Sequence, residues 1–127
     1  MKNKKEVRPI PLTIDLSQEG RALVLKDYQE IAMDLLWDED KGQSSRDVWV
    51  HVNQVLEKRG AGRESVSRAS IINFCNAMVD EGILGFTEIT GKGGHRRIYS
   101  SRMTEEEFWT WLSEVTDRKL KEAANLL

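Results

Sequence analysis

The sequence predicts an α+β fold, mostly helical, with a three-helix core, a β-hairpin and a closing C-terminal helix. Three observations predict it. Apolar side chains recur at i, i+3, i+4, i+7 and i+8 in three separate stretches: Tyr28, Ile31, Ala32, Leu35, Leu36; then Val48, His51, Val52, Val55, Leu56; then Ile71, Phe74, Cys75, Met78, Val79. That spacing puts each set on one stripe of an α-helix, which must be buried against another element. A run rich in β-branched and aromatic residues, Ile83 to Thr90, then meets the glycine-rich turn Gly91, Lys92, Gly93, Gly94 and a returning segment, Arg96 to Ser100. Finally, Thr104 with Glu107 forms a capping box, and Phe108, Trp111, Leu112 and Val115 lie on one face of the helix it opens.

The boundaries follow from local chemistry. Asp38 to Gly42 separates the first helix from the second, Ser44 with Asp47 is a capping-box variant, and Gly60 and Gly62 end the second helix. Ser65 or Ser67 caps the third helix and Gly82 closes it. Glu105, Glu106 and Glu107 occupy the first turn of the last helix, where its dipole favours negative charge, and that helix is expected to reach Leu126. Near the start, Ile10, Leu12, Ile14 and Leu16 alternate strictly, while Pro9 and Pro11 deny donors to a central strand. An edge strand or an extended arm is expected there. The chain therefore divides into a basic arm over 1–24, a core domain over 25–102 and a C-terminal helix over 103–127.

Composition narrows the function classes. A chain of 127 residues with 39% hydrophobic side chains can bury one core and has no room for a multidomain enzyme. It has no apolar run long enough to span a bilayer, and the basic start MKNKKEVRP is not followed by a signal-peptide core, so a soluble cytoplasmic protein is expected. A single cysteine, Cys75, allows no internal disulfide and no multi-cysteine zinc site. There is no nucleophile elbow, no phosphate loop feeding a helix and no histidine pair at ligand spacing, so catalytic residues, metal and cofactor are all assigned as none. The net charge of -2 conceals an uneven distribution: residues 58–102 carry eight basic and four acidic side chains, between two acidic ends. A basic middle suits a polyanion held by one region.

Three helices followed by a hairpin is the order of a winged helix, a helix-turn-helix variant whose third helix is presented to a DNA groove. With Ile71, Phe74, Cys75, Met78 and Val79 inward, Ala69, Ser70, Asn73 and Asn76 fall on or near the opposite face. These are short or hydrogen-bonding residues suited to close approach to base edges, and the acidic Asp80 and Glu81 lie at the far end. Lys92, His95, Arg96 and Arg97 cluster where a wing would project and could meet phosphates or the minor groove.

Over roughly residues 25–110, the segments LLWDEDKGQSSRDVWVHV, SRASIINFCNAMVDEGIL and GKGGHRRIYSSRMTEEEF resemble the penicillinase-repressor family of winged-helix regulators and, more distantly, the multiple-antibiotic-resistance regulators. The resemblance implies a homodimeric transcriptional repressor on a palindromic operator, with the third helix in the major groove and the C-terminal helix in the dimer interface. It matches Ser67, Arg68, Ala69, Ser70 and Asn73 to the recognition-helix positions, and gives Phe108, Trp111, Leu112 and Val115 to dimerisation. Two features depart from the family: only about one helix follows the wing, where the family has a longer cleavable region, and the alternating arm is extra.

The expected partners are double-stranded DNA and a second copy of the chain, with Arg68 and the wing basics on phosphate and Ser70 and Asn73 reading bases. Two other classes stay open: a winged-helix protein-interaction module, whose basic hairpin meets an acidic partner, and a nonspecific architectural DNA binder using Lys2, Lys4, Lys5 and Arg8. His51 reads as a core-edge histidine and Cys75 as a small hydrophobe. Trp109 and Trp111 cannot share one side of a helix, which leaves one of them for a partner. An effector, unidentified by any polar cluster, would sit between the core domain and the last helix.

Overall fold

A computed structural model describes residues 12–38, 41–60, 64–91 and 93–126. In order they form a 3-10 turn (Gly20–Leu23), α1 (Asp27–Asp38), β1 (Gln43–Ser44), α2 (Ser45–Lys58), α3 (Arg68–Asp80), β2 (Leu84–Gly91), β3 (Gly94–Ser101) and α4 (Glu105–Asn125). The strands make one antiparallel sheet in the order β1-β3-β2. The fold is α+β and mostly helical, with an element order compatible with a winged helix. No helix among the described residues is long and apolar enough to cross a membrane.

The helical stripes bury much as their spacing requires. Ile31, Ala32 and Leu36 of α1, Val48, Val52 and Leu56 of α2, and Ile71, Phe74, Cys75 and Met78 of α3 share one core with Ile83, Leu84 and Tyr99 of the hairpin. In α1, Met33 and Gln29 are buried as well, because the helix packs against α2, β3 and the 3-10 turn on different sides. Gln29 satisfies its side chain at the helix start, where Oε1 accepts the backbone N–H of Lys26 at 3.0 Å.

The caps form where the sequence places them. Ser44 Oγ accepts from the Asp47 N–H while Asp47 Oδ2 accepts from the Ser44 N–H, and Thr104 and Glu107 repeat the exchange at α4. Helix α3 ends in a Schellman motif: Gly82, at φ +79°, donates to the Val79 carbonyl and Ile83 donates to that of Met78. This turn aims the chain directly into β2. The hairpin pairs from Leu84 opposite Ser101 to Gly91 opposite Gly94, a little longer than predicted. Gly93 and Gly94 there take φ of +96° and +102°.

Three features differ from the sequence reading. Strand β1 was not expected: two residues carry no alternation, and the pair forms because it satisfies the outer edge of β3, with Gln43 opposite Tyr99 and Ser44 opposite Ile98. The approach is close enough that a Cβ on Gly42 would collide with the Ile98 side chain.

Residues 12–19 are not a strand, and residues 1–11 of the expected arm lie outside the described residues. Here turn chemistry overrides alternation: Asp15 Oδ1 accepts from both the N–H and the hydroxyl of Ser17, which holds the Asp15 carboxyl below its ordinary pKa.

The third difference concerns Phe108, expected at a self-association surface. It is fully buried, with its ring 5.5 Å from Trp37, 5.1 Å from Trp109 and 6.2 Å from Trp111. Phe108 therefore belongs to the core of the single chain and is closed to a partner. Trp109 and Trp111 both half-bury by flanking that ring, so neither is left to a partner by geometry alone.

Arg21 fastens α4 to the rest. Its Nε and Nη2 donate to the two carboxylate oxygens of Glu105 at 2.9 and 2.6 Å, Nη1 donates to Asp34 at 2.6 Å, and its guanidinium carbon lies 5.8 Å from the Trp37 ring centroid. Glu105 also accepts from the indole of Trp109, and these bonds, the Arg21 pair first, lower its pKa.

Two outcomes follow. Phe108→Ala should destabilise the chain by about 3–5 kcal/mol in urea unfolding, through lost burial and an unfilled cavity. Glu105→Gln should cost roughly 1 kcal/mol at neutral pH, since the pair is partly exposed and screened. Because the folded-state pKa is depressed, the gap between this variant and the parent should be constant above about pH 5 and close as pH falls through the acid range, read as midpoints across a pH series.

Candidate nucleic-acid interface

The entry to α3 is set by α2. The Val66 carbonyl accepts from Trp49 Nε1 at 2.9 Å and from Asn53 Nδ2 at 3.1 Å, while the Val66 N–H donates to Asn53 Oδ1 at 2.8 Å. These bonds hold the residue before the N-cap against a rigid helix, so the first turn of α3 starts from a fixed place. The reading of the sequence missed the clamp. Trp49 and Asn53 lie four apart, on the same edge of α2, but their acceptor is a backbone atom that carries no side-chain signal.

Ser67 caps α3: its Oγ accepts from the Ser70 N–H at 3.1 Å, and the two hydroxyls are 3.0 Å apart. Arg68, Ala69 and Asn73 are exposed and Ser70 is half-buried, with no acidic residue in the first turn. The N-terminal half of α3 thus presents one cation, a small side chain and an amide at the positive end of the helix dipole.

Asn76 departs from the expected open face. It lies three residues after Asn73 on the same side of α3, where its Oδ1 accepts from Arg97 Nη1 at 3.1 Å and from the Tyr99 hydroxyl at 2.6 Å. Tyr99 is buried, and that burial, ahead of smaller charge effects, raises its pKa. The side of α3 carrying Ala69 and Asn73 therefore runs into the hairpin at Asn76.

The strand period of 2 divides the basic residues of the hairpin. His95, Arg97 and Tyr99 fall on one side of β3, and Arg96 falls on the other with Ile98. His95 and Arg96 are exposed, and Thr90 Oγ1 lies 3.3 Å from His95 Nδ1. Arg97 is half-buried, with its guanidinium carbon 3.9 Å from the Phe86 ring centroid. Lys92 lies outside the described residues. The four are one cluster in sequence; of the three described, His95 and Arg96 stand in solvent on opposite faces of the strand, and Arg97 is engaged.

Other candidate chemistry is sparse. Burial pushes the Cys75 thiol up to about 12, which keeps it protonated and inert. Among the described residues no group of three or more His, Cys, Asp or Glu side chains is placed to hold a metal ion. A groove of about 320 Å³ runs between the N-terminal segment and α4, with Ile14, Leu23, Leu112 and Leu120 in its walls. A wider cleft of about 780 Å³ lies between that segment, α1 and the chain entering α3. Compared with protein-family models, curated proteins and solved structures, the chain matches none.

Ser67→Ala should lower stability by about 1 kcal/mol, and Ser67→Gly by only a few tenths, in thermal or urea unfolding. Unchanged stability in Ser67→Ala would mean that the hydroxyl does not cap the helix.

Proposed function

We propose that the protein is a sequence-specific DNA-binding transcriptional regulator of the winged-helix class. It acts in the cytoplasm as a repressor, by binding rather than catalysis, on a pseudo-palindromic operator held by a homodimer. The observation that carries this reading is the exposed side of α3: Arg68, Ala69 and Asn73 are open to solvent at a helix start free of acidic residues, and that side abuts the hairpin bearing His95 and Arg96. A major groove admits a helix of this kind, and the hairpin would serve as the wing on the neighbouring backbone. Arg68 and Arg96 fix the register on phosphate, while Asn73 and the less exposed Ser70 read base edges.

The dimer reading uses α4 beyond Phe108. Leu112 and Val115 are half-buried and Leu120 is 65% exposed, and Leu112 and Leu120 border the groove that Ile14 and Leu23 complete. Beyond Phe108 the helix carries both signs, Glu114, Asp117 and Glu122 beside Arg118, Lys119 and Lys121, with Lys121 paired to Asp117 at 3.0 Å, so no excess of like charge opposes a second copy. Antiparallel pairing of the later turns with those of a second copy would cover their apolar positions and oppose the two helix dipoles.

Selection from a randomised duplex pool, with oligomeric state measured in the same buffer, tests the proposal. A dimer enriching a palindrome with half-sites one helical turn, ~34 Å, or a multiple apart is expected. A monomer with no enriched motif would favour a protein-interaction module instead, and tight unselective binding an architectural role. On the selected site, Asn73→Ala should lose about 10- to 100-fold in discrimination while random-duplex binding is kept. Arg96→Ala should weaken both duplexes and lower the salt slope by about one.

A further inference from the structure

We propose that Arg97 is a positioning residue and not a phosphate contact: together with Tyr99 it grips Asn76 of α3 and so fixes the angle between the third helix and the hairpin. The inference deepens the proposed function and rests on it. Two side-chain hydrogen bonds cross from β3 to α3, and both end on one atom, Asn76 Oδ1. A guanidinium can only donate, so the atom facing it must be the amide oxygen, and the tyrosine hydroxyl completes its two lone pairs.

The guanidinium is held a second time by the Phe86 face at 3.9 Å, which suits a planar, weakly hydrated cation. In register Arg97 stands opposite Glu88, an exposed carboxylate on the neighbouring strand, yet its head reaches across to α3. Arg96 contrasts with it: adjacent in sequence, it lies on the other side of the strand and is exposed. Turning Arg97 toward a phosphate would leave the Phe86 face and half of the Asn76 acceptor unused.

The lock matters for recognition because it lies three residues beyond Asn73 on α3 and at the level of the hairpin's half-buried stem. With it intact, helix and hairpin meet DNA as one rigid body; without it, each can dock but not in a common register. Base readout needs geometry held to a fraction of an ångström, whereas phosphate attraction does not. Loss of the lock should therefore penalise the selected site and spare random sequence.

The test uses the full chain on the duplex selected above and on a random duplex of equal length, across a salt series, with circular dichroism melts confirming that each variant is folded. Asn76→Ala changes no charge. It should lose about tenfold in affinity for the selected duplex, keep random-duplex binding, and leave the salt slope unchanged. Arg97→Met should show the same selective loss with the same slope, and the double variant should be no worse than the weaker single, the non-additivity expected of one shared interaction. Tyr99→Phe keeps the ring packed and removes one donor, so it should show a smaller loss of the same kind even if Asn76→Ala fails to fold.

A salt slope lowered by about one in Arg97→Met, with equal loss on both duplexes and Asn76→Ala or Tyr99→Phe neutral, would make Arg97 a phosphate contact and overturn the inference. A parent protein that enriches no duplex would instead overturn the proposed function and this role with it.

Discussion

The buried hydroxyl of Tyr99 is the constraint around which α3 and the three strands are arranged. Its ring is sealed in the core, so its proton must go to a partner inside the protein or the desolvation goes uncompensated. Asn76 supplies the acceptor from α3. Because Tyr99 also sits in the central strand, between β1 and β2, this one hydrogen bond relates the third helix to all three strands. The Schellman turn at Gly82 fixes the other end of the same relation, leading the chain out of α3 and into β2. Between these two fastenings α3 has little freedom to change its tilt. Its N-terminal turn, clamped through Val66 to Trp49 and Asn53, has little freedom to shift along its axis.

The opposite half of the molecule is organised by a cation. Arg21 lies in a 3-10 turn that has little structure of its own, and it reaches both α1 through Asp34 and α4 through Glu105. The aromatic group of Trp37, Phe108, Trp109 and Trp111 closes beside it. The early part of α4 is thereby a structural member of the domain. Its later turns project away with apolar positions uncovered, and a helix of that length gains little stability alone. A division of labour within one helix results, with Phe108 serving the core and Leu120 facing solvent.

Sequence legibility differed sharply between the fold and the candidate site. Periodicity exposed the three stripes because each helix must bury one face, and that requirement is written at every third or fourth residue. Capping at Ser44 and Thr104 was legible because the reciprocal bonds are local, closed within four residues. The site was only partly legible. Arg68, Ala69 and Asn73 are exposed on α3 as their positions suggest and Ser67 caps it, one of the two caps the sequence offered, but Asn76 is occupied by the hairpin. The basic run His95, Arg96, Arg97 reads as one patch in a linear string, while the strand's alternation sends its members to different sides.

The sequence by itself determined the order of elements, their caps and turns, and the small, hydrogen-bonding character of the exposed side of α3, because all of these are decided within a few residues of chain. Only the tertiary structure decided what depends on distant neighbours. It made two residues before α2 into a strand because β3 had an open edge, and it turned the alternating N-terminal segment into a turn held by Asp15 and Ser17. It also drew Phe108 inward among three tryptophans and turned Arg97 from solvent toward Asn76. In the last two cases the physical reason is the same: the chemistry of the side chain permits either role, and the choice falls to whichever apolar faces and unpaired acceptors the fold brings within reach.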